Sequence, residues 1–415
     1  MSRKQEAEDE LFNRDKDRFD DQLDQSLQNL RRKKKLFDDE DEGKGRSGAG
    51  AENLNQNGLN GLTDQLGNKI AYSLSTFDKN GNPTVLNVYE YNVEGDNSNT
   101  NLDYVVKYNI KGVDATQWRK DVNSTTDGSG GKVEWSGVKG DFSSLTAQRV
   151  TSKTVYEGAD GQESISYILS AYNNGVPATV DMYGYDAQAG NLLTIKDYDI
   201  TNVDQGSWLA EDLSTLKRTT VFSGDKGKEK TWYVLSDYNA AFAPTSLSLY
   251  DYHKNGDTDN NLDEVRTYAI DGVSKGRWLT EDNTRLTSAS EYAGKEGDEK
   301  IQRTYDYSYD STTSTQTITD RKDYLYTDEA LTSTKTYNTE AESMADAKIL
   351  SGEDLETRGL LTDEQVYIGD AGVEKISRDY AYTYDETKQE YRISVRTDYN
   401  YGPDGALTTI KKYDT

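Results

Sequence analysis

The side chains of this chain best placed to do chemistry are oxygen donors. Asn255-Gly256-Asp257-Thr258-Asp259-Asn260-Asn261-Leu262-Asp263-Glu264 sets carboxylates and amides at alternate positions. That donor type and spacing suits calcium, which takes about six to eight hard ligands. Asp257, Asp259, Asn261 and Asp263 are the candidate metal ligands, and calcium is the one cofactor the pattern suggests. Gly95-Asp96-Asn97-Ser98-Asn99-Thr100-Asn101-Leu102-Asp103 ends in the same Asn-Leu-Asp with fewer carboxylates. Neither segment has the glycine after the third ligand that an EF-type loop requires. Asx-rich turns use the same residues without metal, so the turn stands beside the ion site as a reading.

Other chemistry is narrowed by composition. With no cysteine there is no thiol nucleophile, disulfide or zinc–cysteine site. His253 is the single histidine; it precedes Asn255-Gly256 at an expected hairpin turn, with no serine in a nucleophile-elbow setting. Among 74 acidic residues, carboxylate pairs at glycosidase spacing arise by chance and none stands out. The expectation is a protein that is not an enzyme. The net charge of −26 repels phosphate backbones, so nucleic acid is not an expected partner. No apolar run approaches the length of a membrane-spanning helix.

The elements that position these residues begin with a change of character. Residues 1–45 form a charged head, helical or disordered, in which Phe12, Phe19, Leu23, Leu27, Leu30 and Phe37 make an interrupted helical stripe. Arg31-Arg32-Lys33-Lys34-Lys35 reads as a solvated helix end, its field largely cancelled by Asp38-Asp39-Glu40-Asp41-Glu42. Residues 46–60 are a Gly-rich linker, and 61–415 a β-repeat array with units of roughly 61–158, 159–224, 225–294, 295–369 and 370–415.

The repeat is the strongest signal. A Tyr-x-Tyr pair recurs at Tyr89/Tyr91, Tyr183/Tyr185, Tyr250/Tyr252, Tyr324/Tyr326 and Tyr399/Tyr401, at intervals of 94, 67, 74 and 75 residues. An upstream segment, a downstream one ending in tyrosine (Tyr108, Tyr198, Tyr268, Tyr337, Tyr413) and a fourth ending in aromatic-x-Gly (Gly158, Gly224, Gly294, Gly369) move with it. Each unit therefore predicts four strands, A to D, with the period-two alternation of a half-buried antiparallel sheet, as in Tyr305-Asp306-Tyr307-Ser308-Tyr309. Pro83, Pro177 and Pro244 fall at matching A–B turns. Trp118, Trp208 and Trp278 fall in the C–D connectors and are expected to plug the surface beneath them.

The fifth unit carries A, B and C, while Gly61-Leu62-Thr63-Asp64-Gln65 resembles the D segment Gly359-Leu360-Leu361-Thr362-Asp363-Glu364-Gln365. That phase fits an open elongated array, a five-bladed β-propeller closed by the N-terminal strand, or a filament in which one subunit lends that strand to the next. The thin, one-sided apolar faces of the last two units favour the open array over stacked blades.

Tyr185-Asp186-Ala187-Gln188-Ala189-Gly190-Asn191-Leu192-Leu193-Thr194 and Tyr401-Gly402-Pro403-Asp404-Gly405-Ala406-Leu407-Thr408 resemble the turn and strand of the tyrosine–aspartate (YD) repeat family. The resemblance is one of style. It lacks the arginine usual after the glycine, and the unit is longer. It implies secreted or surface-borne β-ribbons used as shells, adhesins or spacers. The expected function is a structural or adhesive repeat protein, a cell-surface spacer, stalk or filament subunit; the alternative is a compact propeller-like module binding a glycan or surface protein. Head-to-tail self-association is among the expected partnerships. The expected location is extracellular or cell-surface, although no signal peptide is visible in the sequence.

Overall fold

The computed structural model describes residues 70–414 apart from 79, 92–100, 115–122, 127–131, 137–141, 143–144, 146, 160–161, 253–260, 281, 297, 372 and 403–404. The expected head, linker and first residues of the array lie outside the described residues. The described chain is all-β, antiparallel throughout, with two short helices. The described residues divide into two compact units, one running up to Thr231 and the other from Trp232 onward.

The first unit contains β1 (Tyr72–Phe77), β2 (Pro83–Tyr91), β3 (Leu102–Asn109), β4 (Asn123–Thr126), β5 (Lys132–Ser136), β6 (Val150–Glu157), β7 (Ser164–Ser170), β8 (Thr179–Tyr185), β9 (Leu192–Asp199) and β10 (Leu216–Ser223). They pair in the order β4–β5–β1–β2–β3–β6–β7–β8–β9–β10. The second contains β11 (Lys230–Tyr238), β12 (Pro244–Asp251), β13 (Glu264–Ala269), β14 (Leu286–Ala293), β15 (Lys300–Asp310), β16 (Thr315–Thr327), β17 (Ala330–Asn338), β18 (Leu361–Ile368), β19 (Lys375–Asp385), β20 (Glu390–Tyr401) and β21 (Leu407–Asp414). These pair strictly in sequence order.

Apart from β4 and β5, the strands fall on segments A to D. The D strand of one repeat pairs with the A strand of the next, as in β6–β7, β14–β15 and β18–β19. Within each unit, successive repeats therefore continue one sheet edge to edge. Propeller blades are separate sheets packed face to face, so the propeller alternative is corrected to an open sheet. The N-terminal phase is corrected too. The free side of β1 pairs with β5, Tyr72 opposite Ser136 and Leu74 opposite Glu134, so a hairpin from the first C–D connector fills the place expected for a D strand at 61–65.

The recurring tyrosines mark bulges. The ladder register shifts at Tyr91, Tyr185, Tyr326 and Tyr401 in the B strands, at Tyr108, Tyr268 and Tyr337 in the C strands, and at Tyr156, Tyr292 and Tyr367 in the D strands. A bulge interrupts the alternation and re-aims a side chain. Here the extra residue lies on the partner strand, Asp103 beside Tyr91 and Thr408 beside Tyr401, and the two tyrosines donate their hydroxyls to the Ile70 and Ile376 carbonyls at 3.0 and 2.8 Å.

One core cluster lies along the strands, where Tyr89, Leu102, Val105 and Tyr156 pack together with Ile70, and others lie where connectors cross the sheet. Tyr72, Leu74, Leu86 and Ile110 pack with Phe142 and Leu145 of the first C–D connector. In the second unit the connector after β17 forms helices α1 (Met344–Ile349) and α2 (Gly352–Thr357). Ala347 of α1 packs against Tyr305 and Ile318, and Leu355 of α2 against Tyr337 and Leu361. Ser343 and Ser351 cap these helices, Ser351 in a capping box with Asp354.

Candidate functional site

Two arrangements recur, and both are built by short sequence signals. The first is a clasp at every D–A hairpin. Gly158, Gly224, Gly294 and Gly369 adopt φ of 127°, 119°, 137° and 119°, a region that disfavours side chains. A Cβ there would stand 2.7 to 3.0 Å from the carbonyl oxygens of Gln162, Lys228, Asp298 and Val373. Five residues after each glycine comes a glutamate. Glu163, Glu229, Glu299 and Glu374 accept a hydrogen bond from the backbone N–H of Leu102, Leu192, Leu262 and Leu331, at 2.9, 2.9, 3.0 and 3.0 Å. Asn101 and Asn191 complete it by donating to the carbonyls of Gly158 and Gly224 at 2.8 and 3.2 Å. The clasp ties the start of strand C to the hairpin leading into the next repeat.

The second is a charged cluster on β16 and β17, beneath α1 and α2. The Arg321 guanidinium is fully buried. It donates in bidentate fashion to the Asp323 carboxylate at 2.6 and 2.6 Å, and its remaining nitrogen donates to the Ala347 and Leu350 carbonyls at 3.2 and 2.5 Å. Those carbonyls close α1, so the cation meets the negative end of that helix. Lys335 donates to Glu356 of α2 at 2.7 Å, and the Tyr337 hydroxyl donates to the same oxygen at 3.3 Å. Burial pushes the Tyr337 phenol well above the ordinary range, and Asp323 and Glu356 add to the shift. Gly352 opens α2 against this cluster, where a Cβ would lie 2.8 Å from the Tyr337 hydroxyl. Beside it is a polar cleft of about 690 Å³ whose walls include Glu291, Arg303, Asp323, Tyr324, Lys335 and Glu356. Its cations and carboxylates are engaged with one another, as in Lys335–Glu356 and Arg303–Asp323 (3.8 Å).

The fifth repeat carries the same cluster uncovered. Arg396 grips Asp398 at 2.7 and 2.6 Å, and its guanidinium stands 5.6 Å from the Tyr413 ring. The Arg396 side chain is 40% exposed against 0% for Arg321, and Tyr413 is 43% exposed against 1% for Tyr337. The hydrogen bonds from Arg396 hold the Asp398 carboxyl below its usual range.

The residues singled out in the sequence fall unevenly. Asp257 and Asp259 lie outside the described residues, as do His253 and Trp118. Asn261 and Asp263 are half-buried beside the clasp: the Leu262 N–H between them is held by Glu299, and Asp263 donates its N–H to the Asp251 carbonyl at 2.9 Å. Trp208 and Trp278 are half-buried and donate their indole N–H to the Val203 and Val273 carbonyls at 3.0 and 2.9 Å. The Glu of Trp208-Leu209-Ala210-Glu211-Asp212 receives Lys196 of β9 at 2.8 Å, the counterpart of Lys335–Glu356. Sequence reasoning missed the clasp glutamates, although their spacing of five from the glycine is constant. It also missed the buried Ile110, Ile200 and Ile270, each two residues past the strand-C tyrosine.

No family model matches the chain, and no curated protein matches it. Among solved structures, a Bacteroides fragilis protein of unknown function is 12% identical, covers 35% of this chain and 87% of its own, and gives a TM-score of 0.19. The TcdB2-TccC3-Cdc42 complex is 13% identical over 82% of this chain and 20% of that chain, and a porin-like protein of Bacteroides uniformis is 12% identical over 56% and 88%; both also give 0.19. At that level these likenesses carry no argument about function.

Proposed function

We propose that this protein is a non-enzymatic structural repeat protein, a spacer, stalk or filament subunit working at a cell surface. The observation that carries the reading is the clasp, one joint used four times with the same atoms. Chemistry that needs one irregular place is spread here over repeated structural tasks, and the paired charges of the cleft are spent on holding connectors to the sheet. The acidic, cysteine-free composition and the YD-like turns support a place outside the cell. Small-angle scattering of the full chain tests the reading. A pair-distance distribution with a long tail is the expected result, and that of a compact globule overturns it. A second reading, recognition of a glycan, is favoured by the polar cleft with Tyr324 on its wall; a glycan array with no binder above background removes it.

A further inference from the structure

The fourth repeat shows how its outer face is covered, and the fifth repeats that face uncovered. Over β17 lies β18, with Tyr337 opposite Leu361, Thr336 opposite Asp363 and Lys335 opposite Glu364. The matching strand β21 pairs with β20, and among the described residues nothing pairs with its outer edge. All its residues are exposed, including Leu407, Ile410 and Tyr413. Lys411 and Lys412 stand on that edge in a chain of net charge −26. An exposed strand edge with apolar side chains is a template for another strand.

We propose that this edge is a docking site for residues 38–66 of a second copy of the chain. This rests on the filament form of the structural reading and names the surfaces that would carry it. Leu62-Thr63-Asp64-Gln65 reads as Leu361-Thr362-Asp363-Glu364 of β18. Laid in the β18 register, Leu62 faces Tyr413, Asp64 faces Lys412 and Gln65 faces Lys411. The acidic run Asp38-Asp39-Glu40-Asp41-Glu42 precedes this strand by about the length of the connector between β17 and β18, which carries Glu342, Asp346, Asp354 and Glu356 in the fourth repeat. The charge on the donor thus complements the cations on the acceptor, and main-chain hydrogen bonds supply the pairing.

The absence of cysteine makes the test direct. Gln65→Cys and Lys411→Cys are made in separate full-length chains of different mass, mixed and oxidised. Directly opposed residues of an antiparallel pair approach closely enough for a disulfide. The expected product is a mixed disulfide dimer between the two chains. Sedimentation of the unlabelled chain should show concentration-dependent association that weakens with salt. Leu62→Asp, which sets a carboxylate in place of the apolar side chain opposite Tyr413, should weaken association about tenfold. Asp64→Lys should weaken it similarly, and mixing that chain with Lys412→Glu should restore it. No mixed disulfide, or association unmoved by Leu62→Asp, overturns the proposal. A double variant that cross-links only within single chains overturns the assignment to a second copy. These readouts stand or fall independently of the shape measured by scattering.

Discussion

The fourth and fifth repeats carry the same side chains in the same order and differ in what lies over them. Arg321, Asp323, Lys335 and Tyr337 have counterparts in Arg396, Asp398, Lys411 and Tyr413. Both arginines grip their aspartates with near-identical geometry. Under α1 and α2, however, Arg321 also holds two helix carbonyls and is sealed from water. The contrast teaches that this motif is a fastener for a connector. The Arg–Asp pair forms with or without a lid, so it does not depend on burial, and its remaining donors are what a lid requires.

Alkali should produce the largest effect. Burial pushes the Tyr89, Tyr167 and Tyr252 phenols up to about 12, against an ordinary value near 10. A raised folded-state value means the fold disfavours the phenolate. Stability is therefore fully present below pH 10 and is lost as pH rises through about 12. Tyrosinate absorbance should rise in one steep step that coincides with loss of β-sheet circular dichroism. A broad titration with the sheet intact contradicts the burial.

Arg321→Ala against Arg396→Ala breaks the comparison itself. The first leaves Asp323 and two carbonyls buried without their partner and should cost about 3–5 kcal/mol in chemical denaturation. The second removes an exposed pair and should leave the midpoint nearly unchanged. Equal effects would mean that the lid does nothing for the pair. Gly352→Ala presses a methyl on the Tyr337 hydroxyl and should cost about 1–3 kcal/mol, a penalty with no counterpart in the fifth repeat. Glu374→Ala removes one clasp and should cost about 1 kcal/mol, with faster amide exchange at Leu331 and unchanged exchange at Leu192, whose clasp uses Glu229.

Much of this fold was legible because tyrosine landmarks, prolines and glycines keep a common order. Pro83 and Pro244 open their B strands, where a missing N–H is tolerated. Gly158 and its counterparts could be found by alignment of the repeat, but their reason, a backbone turned to positive φ against a carbonyl, required coordinates. The clasp glutamates were present at fixed spacing and passed over, because one acidic residue among 74 has no contrast until its partner N–H is placed.

The sequence by itself determined the A to D strands and their antiparallel order, though not the β4–β5 hairpin, since alternation and turn chemistry act over a few residues. Whether successive units stack as blades or join along their edges depends on which N–H groups meet which carbonyls across long separations. The pairing of β18 with β19 and of β5 with β1 decided that. The same holds for the twin arginines. Their local sequences predict the same pair, and only the chain packed above Arg321 makes it buried, because burial is a property of what lies across from a residue and not of its neighbours in sequence.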